Sequence, residues 1–208
     1  MMKLKLLAAV AVLGLAGCSS SPDAAPTPAV PVIVPGTPGG ANQTLTALPT
    51  TATTVDPDDV VFLKDMMIHH TQAVQLTTLA AGSAVNPKVR ALADRIRAGQ
   101  QPEIEAMRQL LTARGQTPPA LEHVQHMDHS DMPGMATPAQ LASLQRATGK
   151  AFDTLFLQLM IKHHEGAVTM SGEQLENGSD LRVSELAQDV TVTQTKEIAT
   201  MRQLQKEL

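Results

Sequence analysis

Two copies of Met-x-x-His-His carry the most distinctive chemistry in this sequence: Met66, His69 and His70, and Met160, His163 and His164. On a helix, residues three and four apart share a face, so each Met stands one turn before its His pair. Adjacent His residues point about 100° apart, so each trio spreads a thioether and two imidazoles over one helical patch. Thioether plus imidazole suits copper, Cu(I) above all. Zinc prefers thiolate, imidazole and carboxylate, and the only cysteine is Cys18. Di-iron bundles need a carboxylate-rich core with Glu-x-x-His pairs. Here each half has a single glutamate in place, Glu103 before Met107 and Glu197 before Met201. Zinc and iron therefore rank below copper.

A third cluster lies between the two trios. Residues 123–135 hold His123, His126, Met127, His129, Met132 and Met135. Short His/Met-rich tracts bind metal by composition. A plain linker between helices has no need of three thioethers. Met127-Asp128-His129-Ser130-Asp131-Met132-Pro133-Gly134-Met135 is similar to the Met/His repeats of bacterial copper-resistance proteins. Its Gly and Pro are expected to keep it flexible. Met170 is a further thioether beyond the second trio. Met107 and Met201 fit core filling better than ligation, and with Met170 they stand as secondary candidates.

The elements that carry these groups come from a duplication. Without gaps, at a fixed shift of 94 residues, Phe62-Leu63 matches Phe156-Leu157, and the two Met-x-x-His-His groups coincide. Ala73-Val74 matches Ala167-Val168, Gln100 matches Gln194, and Glu103-Ile104 matches Glu197-Ile198. Met107-Arg108-Gln109-Leu110 matches Met201-Arg202-Gln203-Leu204. Each copy predicts a helical hairpin. The first helix starts at Asp56-Pro57, a cap followed by Pro at the first helical position, and reaches about Ala81. A turn at Gly82-Ser83 and Asn86-Pro87 leads to a second helix over about Pro87 to Arg114, ended by Gly115. In the second copy, one long helix is expected from Thr137-Pro138 to Glu176, then a turn at Asn177-Gly178 and a last helix to the C-terminus. The expected fold is all-α: an antiparallel four-helix bundle built from the duplicated hairpin, with repeat 1 at 56–115, the loop at 116–136 and repeat 2 at 137–208.

On the second helix of each hairpin, Gln100 and Glu103, or Gln194 and Glu197, fall within an apolar stripe. A buried polar group without a partner costs about 1–3 kcal/mol. Four of them at equivalent places predict a polar network inside the bundle, beside the trios. If the halves pack about a pseudo-twofold axis, the two trios face each other.

The N-terminus reads as an address. Lys3 and Lys5 precede an apolar run from Leu6 to Leu15, too short to span a bilayer. Leu15-Ala16-Gly17-Cys18 resembles the bacterial lipobox, which implies a signal peptide over 1–17, cleavage before Cys18 and lipidation of Cys18. Residues 18–54, rich in Ser, Pro, Thr, Ala and Gly, read as a disordered tether between the membrane and a soluble domain at 55–208. The expected place is the cell envelope, outside the cytoplasm. With one Cys, no disulfide forms within the chain. The net charge of −4 gives no footprint for nucleic acid.

The pattern Asp-x-x-Phe…Met-x-x-His-His-x-x-Ala, followed by Glu-Ile-x-x-Met, occurs twice. It uses Asp59, Phe62, Met66, His69, His70, Ala73, Glu103, Ile104 and Met107, then Asp153, Phe156, Met160, His163, His164, Ala167, Glu197, Ile198 and Met201. In this the chain resembles the bacterial family called domain of unknown function 305, over about residues 56–208. The resemblance implies a ferritin-like helical bundle, and some members are periplasmic copper binders. Many members have Pro before the His pair, where this chain has Ile68 and Lys162, so its helices are expected to run unkinked. The leading expectation is a lipid-anchored protein that sequesters copper or hands it to a copper-handling partner. The alternatives are a metal-free interaction module on a tether and a metal-dependent oxidase of the ferritin-like class.

Overall fold

The computed structural model describes residues 55–126, 129 and 131–208, together with residues 32–34 and 43–45. The segment read as a signal peptide, residues 1–17, and Cys18 lie outside the described residues. Within the segment read as an unstructured tether, β1 (Val32–Val34) and β2 (Gln43–Leu45) pair antiparallel, with Val32 opposite Leu45. The β-branched run Val32-Ile33-Val34 favours that pairing.

The remainder is helical: α1 (Pro57–Ser83), α2 (Pro87–Ala113), α3 (Pro138–Arg146), α4 (Gly149–Asn177) and α5 (Leu181–Glu207). A short 3-10 helix covers Leu121–His126. The starts follow the sequence. Asp56 accepts from the Asp58 N–H at 2.9 Å ahead of Pro57, and Asn86 accepts from the Lys88 N–H at 2.9 Å ahead of Pro87. Thr137 and Gln140 form a reciprocal capping box.

One boundary differs from expectation. The single long helix expected from residue 138 is two, because Ala147 and Thr148 are extended and Gly149 takes φ +60°. The extended pair ends α3, and the left-handed backbone at Gly149 turns the chain into α4. α1 runs unbroken through Ile68, and α4 through Lys162, as the missing prolines predict.

The hairpins α1–α2 and α4–α5 meet where α1 lies against α4. These two run antiparallel, since Asp59 at the start of α1 reaches the Asp180 N–H beyond the end of α4, at 2.9 Å. Asp153, its repeat equivalent, accepts from Val85 N–H at 3.2 Å and Asn86 N–H at 2.8 Å beyond the end of α1. Each half thus supplies the carboxylate that satisfies the other half's turn. These buried acids hold α1 and α4 in register.

The apolar core falls into two clusters. One gathers Phe62, Leu63, Met66 and Met67 of α1, Met107 and Leu111 of α2, Ala167 and Met170 of α4, and Val190 of α5. The other gathers Ala73 and Leu76 of α1, Leu92 and Ile96 of α2, Phe156 and Met160 of α4, and Met201 of α5. Along both central helices the His pairs fall between the clusters. The bundle therefore has a polar layer at mid-height, with apolar packing above and below it.

Candidate metal centre

His69, His70, His163 and His164 are all fully buried. The central crossing of α1 and α4 brings His69 and His163 together, with ring centroids 3.8 Å apart and planes tilted by 39°. His164 lies 6.3 Å from His163, centroid to centroid. The expectation that the two trios face each other thus holds for the imidazoles. The thioethers part company: Met66 packs with Met107 and Met170 in one cluster, and Met160 with Met201 in the other.

Every one of the four rings is held at Nε2. His70 bonds Glu103 Oε2 at 2.7 Å, and His164 bonds Glu197 Oε2 at 2.8 Å. His69 bonds the Pro133 carbonyl oxygen at 3.0 Å, and His163 the carbonyl oxygen of His69 at 3.1 Å. Carbonyl and carboxylate oxygens accept, so the proton of each neutral ring sits on Nε2. In a neutral ring that leaves Nδ1 as a bare lone pair. All four Nδ1 atoms are buried and have no hydrogen-bond partner among the described residues.

Electrostatics keep the central pair neutral. Burial pushes the His69 imidazole down to about 3, helped by the neighbouring His70, while the bond to Pro133 opposes the shift. Burial holds His163 well below the usual histidine range, with His69, His164 and His70 adding to it. A neutral imidazole is the form that binds metal.

The expected polar network is realised in part. Glu103 and Glu197 pair with the outer histidines. Gln100 and Gln194 are buried, but neither atom of either amide has a partner. Met107 and Met201 are fully buried among apolar side chains, as core filling predicts.

The His/Met tract departs from the flexible loop expected of it. The described residues 131–136 are seated on the bundle. Gln72 grips the Ala136 backbone twice, donating to its carbonyl at 2.9 Å and accepting from its N–H at 2.7 Å. Gly134, at φ +78°, and Gly166 of α4 lie against each other, and a Cβ on Gly166 would overlap the Pro133 carbonyl. Packing this close, rather than loop composition, sets the conformation. It also delivers Pro133 to His69. Met135 is buried, and Met132 and Pro133 line a cleft with Met170. The imidazole of His129 has a buried Nε2 without a partner among the described residues. His123 and His126 lie on the 3-10 helix with side chains outside the described residues, and Met127 lies outside them altogether.

Sequence reading overlooked Gln72, Gly166 and Asp65. Gln72 and Gly166 occupy the same place in the two repeats, next to trios that are unchanged. A divergence at that spot was the available signal that one half receives the loop. Asp65 is half-buried on α1, and its carboxyl is raised first by burial and then by the nearby Asp131, with His129 opposing. Among the described residues, no three His, Cys, Asp or Glu side chains form a set that could hold an ion on their own. No described helix is long and apolar enough to cross a membrane.

The family model for DUF305, domain of unknown function, matches residues 59–205. A DUF305 fragment from Deinococcus radiodurans is 33% identical, with TM-score 0.66, over 74% of this chain and 99% of that one. A DUF305 protein from Streptomyces coelicolor, described as a candidate secreted protein, is 30% identical, with TM-score 0.65, over 72% of this chain and 93% of that one. CopM in its Cu(II)-bound form is 28% identical, with TM-score 0.62, over 72% of this chain and 96% of that one. CopM has also been solved in Cu(I)-bound, Ag-bound and apo forms. No curated protein matches the chain.

Proposed function

The chain belongs to the DUF305 family, and on that footing we propose that it binds copper, chiefly as Cu(I), through the histidines and methionines of its bundle and loop. The observation that carries this reading is the set of four buried Nδ1 atoms with no hydrogen-bond partner among the described residues. Each such atom costs about 1–3 kcal/mol if nothing meets it. Four at equivalent places in a duplicated core need a common explanation, and a metal ion supplies one. The His70–Glu103 and His164–Glu197 pairs fit the same reading, because a carboxylate behind a ligating imidazole fixes its tautomer and raises its basicity.

Sulfur completes the donor set. Since no three His, Cys, Asp or Glu stand together among the described residues, a site here draws on thioethers, which favour Cu(I) over zinc. Met66 and Met160 are the nearest in sequence, and Met132, Met135 and Met170 belong to the loop and its seat. His123, His126, Met127 and His129 complete the tract that captures the ion. Copper is cargo in this scheme. The protein holds or transfers it and turns nothing over.

The location is read from the N-terminus: a lipoprotein anchored by Cys18, its folded part outside the cytoplasm, passing copper to or from another copper-handling protein. The secreted description of the Streptomyces coelicolor relative supports that side of the membrane.

Native mass spectrometry with Cu(I), Cu(II), Ag(I) and Zn(II) tests the reading. The full chain is expected to take up Cu(I) and Ag(I). A variant with His69, His70, His163 and His164 all changed to Ala is expected to lose the bundle-held ions. A parent chain that takes up no copper contradicts it.

A further inference from the structure

Beyond the histidine layer, and resting on the copper reading above, we infer a second soft-cation site in the cleft beside the seated loop. The cleft holds about 220 Å³ and is lined from three directions: Asp65 from α1, Met170, Glu173 and Gln174 from α4, and Met132 and Pro133 from the loop. Two thioethers on the walls of one cleft are a donor pair that selects Cu(I) or Ag(I) over harder ions. Asp65 and Glu173 concentrate cations there.

Gln174 gives independent support. It is 97% buried, and its amide nitrogen is committed to Asp59, while its Oε1 has no hydrogen-bond partner. A cation in the cleft would give that oxygen one. The seat also explains why the two repeats differ. Gln72 grips Ala136, and Gly166 leaves the room that Pro133 needs. Together they bring Met132 to the side of the bundle where Met170 stands. Pro133 lines this cleft and also bonds His69 through its carbonyl, so a single peptide group separates the cleft from the histidine layer. A loop that is merely a linker requires none of this.

Silver(I) bound by the full chain, counted by native mass spectrometry and titrated by calorimetry, tests the site. Met132→Leu/Met170→Leu is expected to lose one Ag(I) equivalent. Gly166→Ala, which removes no ligand, is expected to weaken that same equivalent at least tenfold by unseating the loop. His70→Ala/His164→Ala, whose rings bond Glu103 and Glu197 rather than the loop, is expected to keep it. Met132→Leu alone, in the half-exposed loop, repeats the test without touching the core. Retention of every equivalent in Met132→Leu/Met170→Leu, or full affinity in Gly166→Ala, overturns the cleft site while leaving the histidine layer standing. A wild-type chain that binds no silver and no copper overturns both.

Discussion

The imidazoles of His69 and His163 meet ring to ring, 3.8 Å apart, where α1 crosses α4. They are repeat equivalents, but their Nε2 atoms are held differently: His163 by the His69 carbonyl, His69 by Pro133 from the loop. The pseudo-twofold symmetry of the duplication breaks at this pair, and the loop breaks it.

Acid should destabilise the metal-free fold through this pair. A base whose folded pKa is lowered binds fewer protons folded than unfolded, so stability rises with pH between the two values. For His69 that window runs from about 3 up to the ordinary histidine value of 6.5. The contribution is complete above the upper limit and is lost as pH falls through the window, at up to about 1.4 kcal/mol per pH unit for each such residue. Thermal midpoints of metal-free protein should therefore drop from pH 7 to pH 4.5. The drop should be smaller in His69→Gln/His163→Gln. An equal drop in both proteins argues against neutral, buried histidines.

Gly166 and Gly172 share α4 and should respond in opposite directions to Ala. At Gly172 nothing lies in the way of a Cβ. Ala there should stabilise by about 0.5–1 kcal/mol, the usual helix-interior gain. At Gly166 the Cβ would meet Pro133. Ala there should cost stability and expose residues 131–136 to proteases, as urea unfolding and limited proteolysis would register. A stabilised Gly166→Ala contradicts a tightly seated loop.

Asp153→Ala should weaken the junction between the halves. It strips the acceptor from two backbone N–H groups, those of Val85 and Asn86. A loss of about 1–3 kcal/mol per group is the expected scale. Copper stoichiometry should be unchanged wherever the variant stays folded. An unaffected urea midpoint would show that the reciprocal clamp contributes nothing.

Glu103→Gln should lower Cu(I) affinity by about 10–100-fold, the usual effect of losing a carboxylate behind a ligating histidine. Glu197→Gln should do the same, measured by competition with a colorimetric Cu(I) chelator. Unchanged affinity in both would detach the outer histidines from the metal.

Much of this was legible in the sequence, for a reason visible in its residues. Duplication keeps what both halves need. The trios, Glu103 and Glu197, and Asp59 and Asp153 stand out because they repeat at one shift. The helix starts were equally clear, since Asp56-Pro57 and Asn86-Pro87 cap by local chemistry alone. What escaped was tertiary. The break at Ala147 and Thr148, with the left-handed Gly149 that follows it, is one that a periodicity reading passes over. The seating of the loop depends on Gln72 and Gly166, which do not match and so fall outside any search for repeats. The roles of Asp59 and Asp153 in each other's turns needed the antiparallel crossing of α1 and α4.

A long-range proton–nitrogen correlation spectrum of the imidazoles, recorded with uniform nitrogen-15 label before and after Ag(I), reads both ring nitrogens of each buried histidine. Metal-free rings should carry the proton on Nε2 with Nδ1 bare. Ag(I) should then shift Nδ1 of the helix histidines while Nε2 stays bonded to Glu103, Glu197 and the backbone. Shifts confined to Nε2, or unmoved Nδ1 signals in protein that mass spectrometry shows to be silver-loaded, would contradict ligation through Nδ1.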